Sequence, residues 1–298
     1  MTSFDVTVFQ GRIGDNAGTL FVSFRGTGQQ SPAEWPNDIQ SALESLANGV
    51  AVSQIVQMFN WWQRVGTPKG SDVPQFMVAP DYLGPIRISD VKSTGEVATL
   101  LSETPGARLV ATGSSLGGHL AMAFATLFPN QLDQAVVFNA PGFGARAGVT
   151  TLFEALGGVV PVVGNRLITN VLASEASRGG NGADVIAGFP NGNFPGLQLI
   201  VPIENQFLSD VVEPKRPSWN HDQRQVTDSL VVFDMLQRLD RTLTLKRFDT
   251  LLRQSASGDN RSLENLVDTV EALLVSNLTP MDAGNNFRDV LHLSLIHI

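Results

Sequence analysis

The sequence predicts an α/β fold: a mostly parallel central sheet with helices on both faces, followed by a helical C-terminal extension. Three observations carry that expectation. A short apolar run, Leu109-Val110-Ala111-Thr112, leads through Gly113-Ser114-Ser115-Leu116-Gly117 straight into a Leu- and Ala-rich helical stretch. A buried-type strand, Gln134 to Asn139, follows that helix, and a strand–helix–strand order implies parallel pairing through a right-handed crossover. The composition, 43% hydrophobic and 16% charged over 298 residues, supports a sizeable core. We expect the α/β domain to cover residues 1–244 and the helical extension residues 245–298.

The elements follow in order. Phe4 to Phe9 and Thr19 to Phe24 alternate in the manner of strands, with a turn from Gly11 to Gly18, and so predict a hairpin. The second strand ends in Arg25-Gly26-Thr27-Gly28, a turn that exposes backbone N–H groups at a strand's C-terminal end, where sites in α/β sheets gather. Ser31 to Val65 is helical in pattern, broken at Asn48-Gly49, and its Trp61 and Trp62 read as core. Being placed directly after that turn, the same stretch is also suited to act as a lid. Gln75 to Pro80 reads as a short strand and Val91 to Leu101 as a short helix. Ala145 to Ser174 reads as irregular helices, Leu197 to Ile203 as a strand, and Thr227 to Leu239 as a helix capped by Thr227.

Gly113-Ser114-Ser115-Leu116-Gly117 has the G-x-S-x-G spacing of a nucleophile elbow, in the strand-to-helix setting that motif requires. Glycine at both flanking places removes Cβ atoms that would collide with the neighbouring strand and helix. Ser115 has glycine two positions before and two after, whereas Ser114 has Thr112 and Leu116, so Ser115 is the candidate nucleophile. A helix opening behind it aims N–H groups at an oxyanion, with the Leu116 N–H as first donor and Thr27 as candidate for the second.

Such a serine needs a base. Of the four histidines, His119 lies one turn along the elbow helix and reads as a core or surface residue, while His292 and His297 lie in the terminal tail. His221, on a loop before a helix, is left. In the chain order serine, acid, histidine the orienting carboxylate falls between them, where Asp133 and Asp210 remain alternatives. Asp184 fits best, following a glycine-rich loop and preceding Val185-Ile186; Asp222 is too close to His221 to reach back to Nδ1.

A net charge of −8 argues against a nucleic-acid partner bound through bulk positive charge. With no cysteine, disulfides and thiolate metal sites are excluded, and the residues call for no cofactor and no metal. The N-terminus lacks the pattern of a signal peptide, so the expectation is a cytoplasmic protein or one exported without such a signal. The apolar ending LHLSLIHI suggests a chain that continues, or last residues foreign to it.

With these residues in place, the chain resembles the class 3 (fungal triacylglycerol) lipase family of the α/β-hydrolase superfamily. The likeness is carried by LFVSFRGTG, TGSSLGGHLA, VVFNAPGFG, GADVIAGFP and His221. More narrowly, VTVF, FRGT, GVAVSQIVQMFNWWQ, NHD and TDSLVVFDML are similar to the lipase-like modules of bacterial repeat-in-toxin exoproteins. The resemblance implies an α/β-hydrolase fold, a Ser115-Asp184-His221 triad, and hydrolysis of lipid esters of the triacylglycerol lipase or phospholipase A type. It also implies transient contact with a lipid interface and secretion without an N-terminal signal. Where the family has a histidine before the nucleophile this chain has Ser114, and the glycine/aspartate nonapeptide repeats are absent, so calcium binding is not carried over.

Overall fold

A computed structural model describes residues 4–26, 49–78, 84–144, 147–159, 165–175, 194–203, 221, 223–255 and 262–274. Its strands are β1 (Val6–Gln10), β2 (Thr19–Phe24), β3 (Asp72–Val78), β4 (Pro85–Lys92), β5 (Arg108–Ser114), β6 (Gln134–Phe138), β7 (Ile168–Glu175) and β8 (Leu197–Ile203). Its helices are α1 (Val52–Gly66), α2 (Glu96–Glu103), α3 (Leu116–Leu127), α4 (Ala147–Ala155), α5 (Gln223–Leu239), α6 (Leu245–Ser255) and α7 (Ser262–Leu274). The main sheet runs β1-β2-β5-β6-β7-β8, with β3 and β4 in a separate two-stranded sheet. The β2–β5, β5–β6 and β6–β7 pairs are parallel, and only β1, on β2, is antiparallel among the main-sheet pairs whose register is described. The fold is therefore α/β with a mostly parallel sheet, as the strand–helix–strand order around Ser115 predicts.

The period-2 alternation of the strands decides where the core forms. Leu20, Val22 and Phe24 of β2 stand in register with Leu109, Ala111 and Gly113 of β5, and Ala111 and Gly113 with Ala135 and Val137 of β6. All lie on one face, buried against α1 and α3. Helix α3 is buried on every side from Leu116 to Thr126, which is why its sequence is apolar all round rather than amphipathic. Aromatic rings close this layer. Trp62 meets Phe124 edge-on with centroids 4.8 Å apart, and its indole N–H donates to Gln131 Oε1 at 2.8 Å. Trp62 is thus a core residue with its polar edge satisfied, as expected.

Four expectations are corrected. The stretch read as irregular helices yields one helix, α4, and then the strand β7, whose Ile168-Thr169-Asn170-Val171 pairs with β6. The strand expected at Gln75 to Pro80 is one arm of an antiparallel hairpin with β4, whose partly polar sequence PIRISDVK hid it. Helix α2 starts at Glu96 behind a left-handed Gly95 rather than at Val91, because β4 runs on to Lys92. Thr227 does not cap α5, which begins at Gln223; the Thr227 hydroxyl donates instead to the Gln223 carbonyl inside the helix. The first half of the helical stretch after Ser31 lies outside the described residues.

The chain divides into two compact units, Met1–Val171 with Gly188–Gln198, and Leu172–Ala187 with Leu199–Ile298. In the second, α5, α6 and α7 share a core of Val232, Leu236, Leu243, Phe248, Leu252, Leu263, Leu266 and Val267. A helical C-terminal region is therefore present. Among the described residues no helix is long and apolar enough to cross a membrane.

Candidate active site

Ser115 is the single residue between β5 and α3, and its backbone sits at φ 57°, ψ −127°. That region is sparsely populated by side-chain-bearing residues and costs about 1–3 kcal/mol, so it persists only where its surroundings over-determine it. They do so from both sides. The Ser115 N–H donates to the Phe138 carbonyl of β6 at 2.9 Å, and the Ser115 carbonyl accepts the first intrahelical bond, from the His119 N–H at 3.0 Å.

The flanking glycines have the reason the spacing implied. A Cβ on Gly113 would stand 2.4 Å from the Gly117 carbonyl carbon and oxygen; one on Gly117 would stand 2.1 Å from the Phe24 carbonyl oxygen. No side chain fits at either place, so the sharp strand-to-helix reversal needs glycine at both. The chain just beyond β2 also passes close. A Cβ on Gly26 would meet the Ser114 carbonyl oxygen at 2.6 Å and the Ser115 Cβ at 3.6 Å, which places Gly26 beside the candidate nucleophile.

Leu116, Gly117 and Gly118 precede the first residue whose N–H has an acceptor inside α3, so their amides belong to the positive end of the helix dipole. The arrangement can stabilise negative charge next to the Ser115 hydroxyl. Thr27 and Asp184 lie outside the described residues, as do Asp210, Asp222, His292 and His297. His221 is a half-buried turn residue just ahead of α5. It belongs to the second compact unit and Ser115 to the first.

Two alternatives are decided. Asp133 accepts from the Leu109 N–H at 2.7 Å, so it sits at the N-terminal end of β5, the end opposite Ser115, and cannot orient a base there. His119 is 1% exposed, with Nδ1 3.1 Å from the Pro141 carbonyl and Nε2 accepting from the Ala51 N–H at 3.3 Å. Burial brings its pKa down to about 4, against the opposing hydrogen bonds to the Pro141 and Gly142 carbonyls, and an Nε2 that accepts from an amide belongs to a neutral ring. Of the two readings, core or surface, it is the core histidine, and not the base.

Two residues near Ser115 were not singled out by sequence. Asn139, immediately after β6, is the other side-chain-bearing residue with positive φ among the described residues, at 47°, and is fully buried. An asparagine ending a strand is the residue type that tolerates that backbone, which is the signal FNAPG carried. Asn170 of β7 donates from Nδ2 to the Ala140 carbonyl at 2.9 Å and accepts from the Ala140 N–H at 3.4 Å. Among the described residues no group of three or more His, Cys, Asp or Glu could hold a metal ion.

No protein-family model and no curated protein matches the sequence. Among solved structures, the Lip2 lipase of Yarrowia lipolytica is similar at 19% identity over 63% of this chain and 57% of that one, with a TM-score of 0.31. The nonglycosylated Yarrowia lipolytica Lip2 lipase is similar at 17% over 63% and 58%, with a TM-score of 0.31. This chain thus spans less than two thirds of the Lip2 chains it matches. Its own parallel sheet, with a glycine-flanked serine at the reversal from β5 into α3, is the architecture of the α/β-hydrolase fold.

Proposed function

We propose that the chain is a serine carboxylic-ester hydrolase acting on lipid esters, triacylglycerol or phospholipid, with Ser115 as nucleophile. The observation that carries this reading is the strained backbone of Ser115 at the N-terminus of α3. Strain of this kind, held in place by a glycine on either side, is a known device for presenting a reactive hydroxyl. In the proposed reaction the Ser115 Oγ attacks the ester carbonyl carbon while His221 takes its proton, and Asp184 holds the imidazole in the required tautomer. The oxyanion is met by the Leu116 N–H and by Thr27. The leaving alcohol takes the proton back from His221, and water then releases the acid from the acyl-enzyme by the same path in reverse.

The choice of lipid rests on the resemblance of LFVSFRGTG, TGSSLGGHLA and GADVIAGFP to class 3 lipases, as do transient contact with a lipid interface and export without an N-terminal signal. Hydrolysis of p-nitrophenyl esters of increasing acyl length, with a triacylglycerol and phospholipid panel and Ser115→Ala as control, tests the reading. Activity that rises with chain length and is lost in Ser115→Ala is expected. Folded protein that neither hydrolyses esters nor reacts with a fluorophosphonate would make this a noncatalytic module of a larger protein. Alcohol outcompeting water for the acyl group would make it an acyltransferase.

A further inference from the structure

We infer that His119 is a positioning residue for this reaction: its imidazole ties the first turn of the elbow helix to two adjoining loops, residues 49–51 and 139–144, and so holds Ser115 in its reactive geometry. The inference rests on Ser115 being the nucleophile, as proposed above, and goes beyond it.

The chain leaving β6 is held residue by residue next to the elbow. The Phe138 carbonyl accepts from the Ser115 N–H, the Asn139 N–H donates to the Val171 carbonyl, and Ala140 is clamped by the Asn170 amide. Pro141 is held at its carbonyl by His119 Nδ1, and Phe143 packs edge-on against the imidazole with centroids 4.7 Å apart. Gly144 closes the series by donating to the Gly49 carbonyl at 2.7 Å. The same ring also reaches the loop that carries Gly49, since its Nε2 accepts from the Ala51 N–H just ahead of α1. Among these contacts, His119 is the one side chain that holds both loops.

It does so from one helical turn past Ser115, to whose carbonyl its own N–H is bonded. Gly118, next to it, leaves no room between α3 and the post-β6 loop, for a Cβ there would stand 2.6 Å from the Ala140 Cβ. Movement of that loop is therefore transmitted to the turn that bears the nucleophile. A backbone held at φ 57° relaxes when its neighbours loosen. The ring can hold both loops only as the neutral Nδ1–H tautomer, because Nδ1 must donate to a carbonyl while Nε2 accepts from an amide.

The experiment compares the rate at which a fluorophosphonate acylates Ser115 in the parent, His119→Phe and His119→Gln. Phenylalanine fills the site without polar atoms; glutamine restores one donor and one acceptor. We expect His119→Phe, with an unchanged cooperative melt and far-UV spectrum, to acylate about 10- to 100-fold more slowly, and His119→Gln to regain most of that loss. A folded His119→Phe that acylates at the parent's rate overturns the inference. Nitrogen-15 NMR of the ring in the parent supplies a reading independent of variant folding. An Nδ1-protonated neutral ring throughout pH 5–8 is expected, and an Nε2–H tautomer or an ordinary histidine titration overturns the inference. A parent that is not acylated overturns the nucleophile assignment and this inference together, whereas a labelled parent with an equally labelled His119→Phe overturns this one alone.

Discussion

Gly117 lies against the carbonyl of Phe24 so closely that a Cβ on it would stand 2.1 Å from that oxygen. The first turn of the elbow helix and the end of β2 share a space that only a hydrogen atom fits, and backbone, unlike a flexible side-chain tip, cannot step aside. Gly117→Ala is therefore expected to cost about 2–3 kcal/mol or more by urea denaturation, in the range of overpacked cores. Gly148, exposed near the start of α4 with open space within 4 Å of where a methyl would stand, is the control. Gly148→Ala is expected to stabilise by about 0.5 kcal/mol through the helix propensity of alanine.

The buried ring of His119 makes stability depend on pH. Its folded pKa, about 4, lies below the ordinary 6.5 of an unfolded histidine because burial disfavours the charged ring. As pH falls below 6.5 the unfolded chain takes up a proton that the folded protein refuses. The contribution is present in full above pH 6.5 and is lost as pH falls through 4. It amounts to about 3 kcal/mol at most. Denaturation curves taken from pH 7 to 4 should show this loss in the parent and a shallower one in His119→Gln. Equal slopes would mean that the ring is not neutral in the fold.

Asp133 separates a structural carboxylate from a catalytic one. It receives the Leu109 N–H at the start of β5. Asp133→Ala is expected to lower stability by about 1 kcal/mol, the net worth of a typical hydrogen bond, and to leave ester hydrolysis unchanged. A large loss of kcat with stability intact would contradict its placement at the far end of β5 from Ser115.

Trp62 makes the corresponding test for the aromatic layer. It is 2% exposed, packed on Phe124 and bonded to Gln131. Trp62→Ala is expected to cost about 3–5 kcal/mol of stability. Per folded molecule, ester hydrolysis should be unaltered, and a selective loss toward long-chain esters would instead place the indole in an acyl pocket.

Periodicity and glycine spacing were enough to read β2, β5, α3, β6 and β8 and to prefer Ser115 over Ser114, because a Cβ clash is a local matter that any strand-to-helix reversal imposes. The strand β7 was hidden because ITNVLASE follows a glycine- and proline-broken stretch, and a parallel strand has no hairpin turn to announce it. The hairpin arm β4 was hidden because its side chains are exposed and so follow no burial pattern. Asn139 and Asn170 carry no spacing rule; what they do depends on which strands lie side by side.

By itself, then, the sequence determined the reversal at Gly113-Ser115-Gly117, since two missing side chains and one strained residue are encoded within five positions. Only the tertiary structure decided the roles of His119 and Asp133. A titratable side chain acquires its task from the groups that surround it, and those groups, Ala51 and Pro141 for one and Leu109 for the other, come from 22 to 68 residues away in the chain.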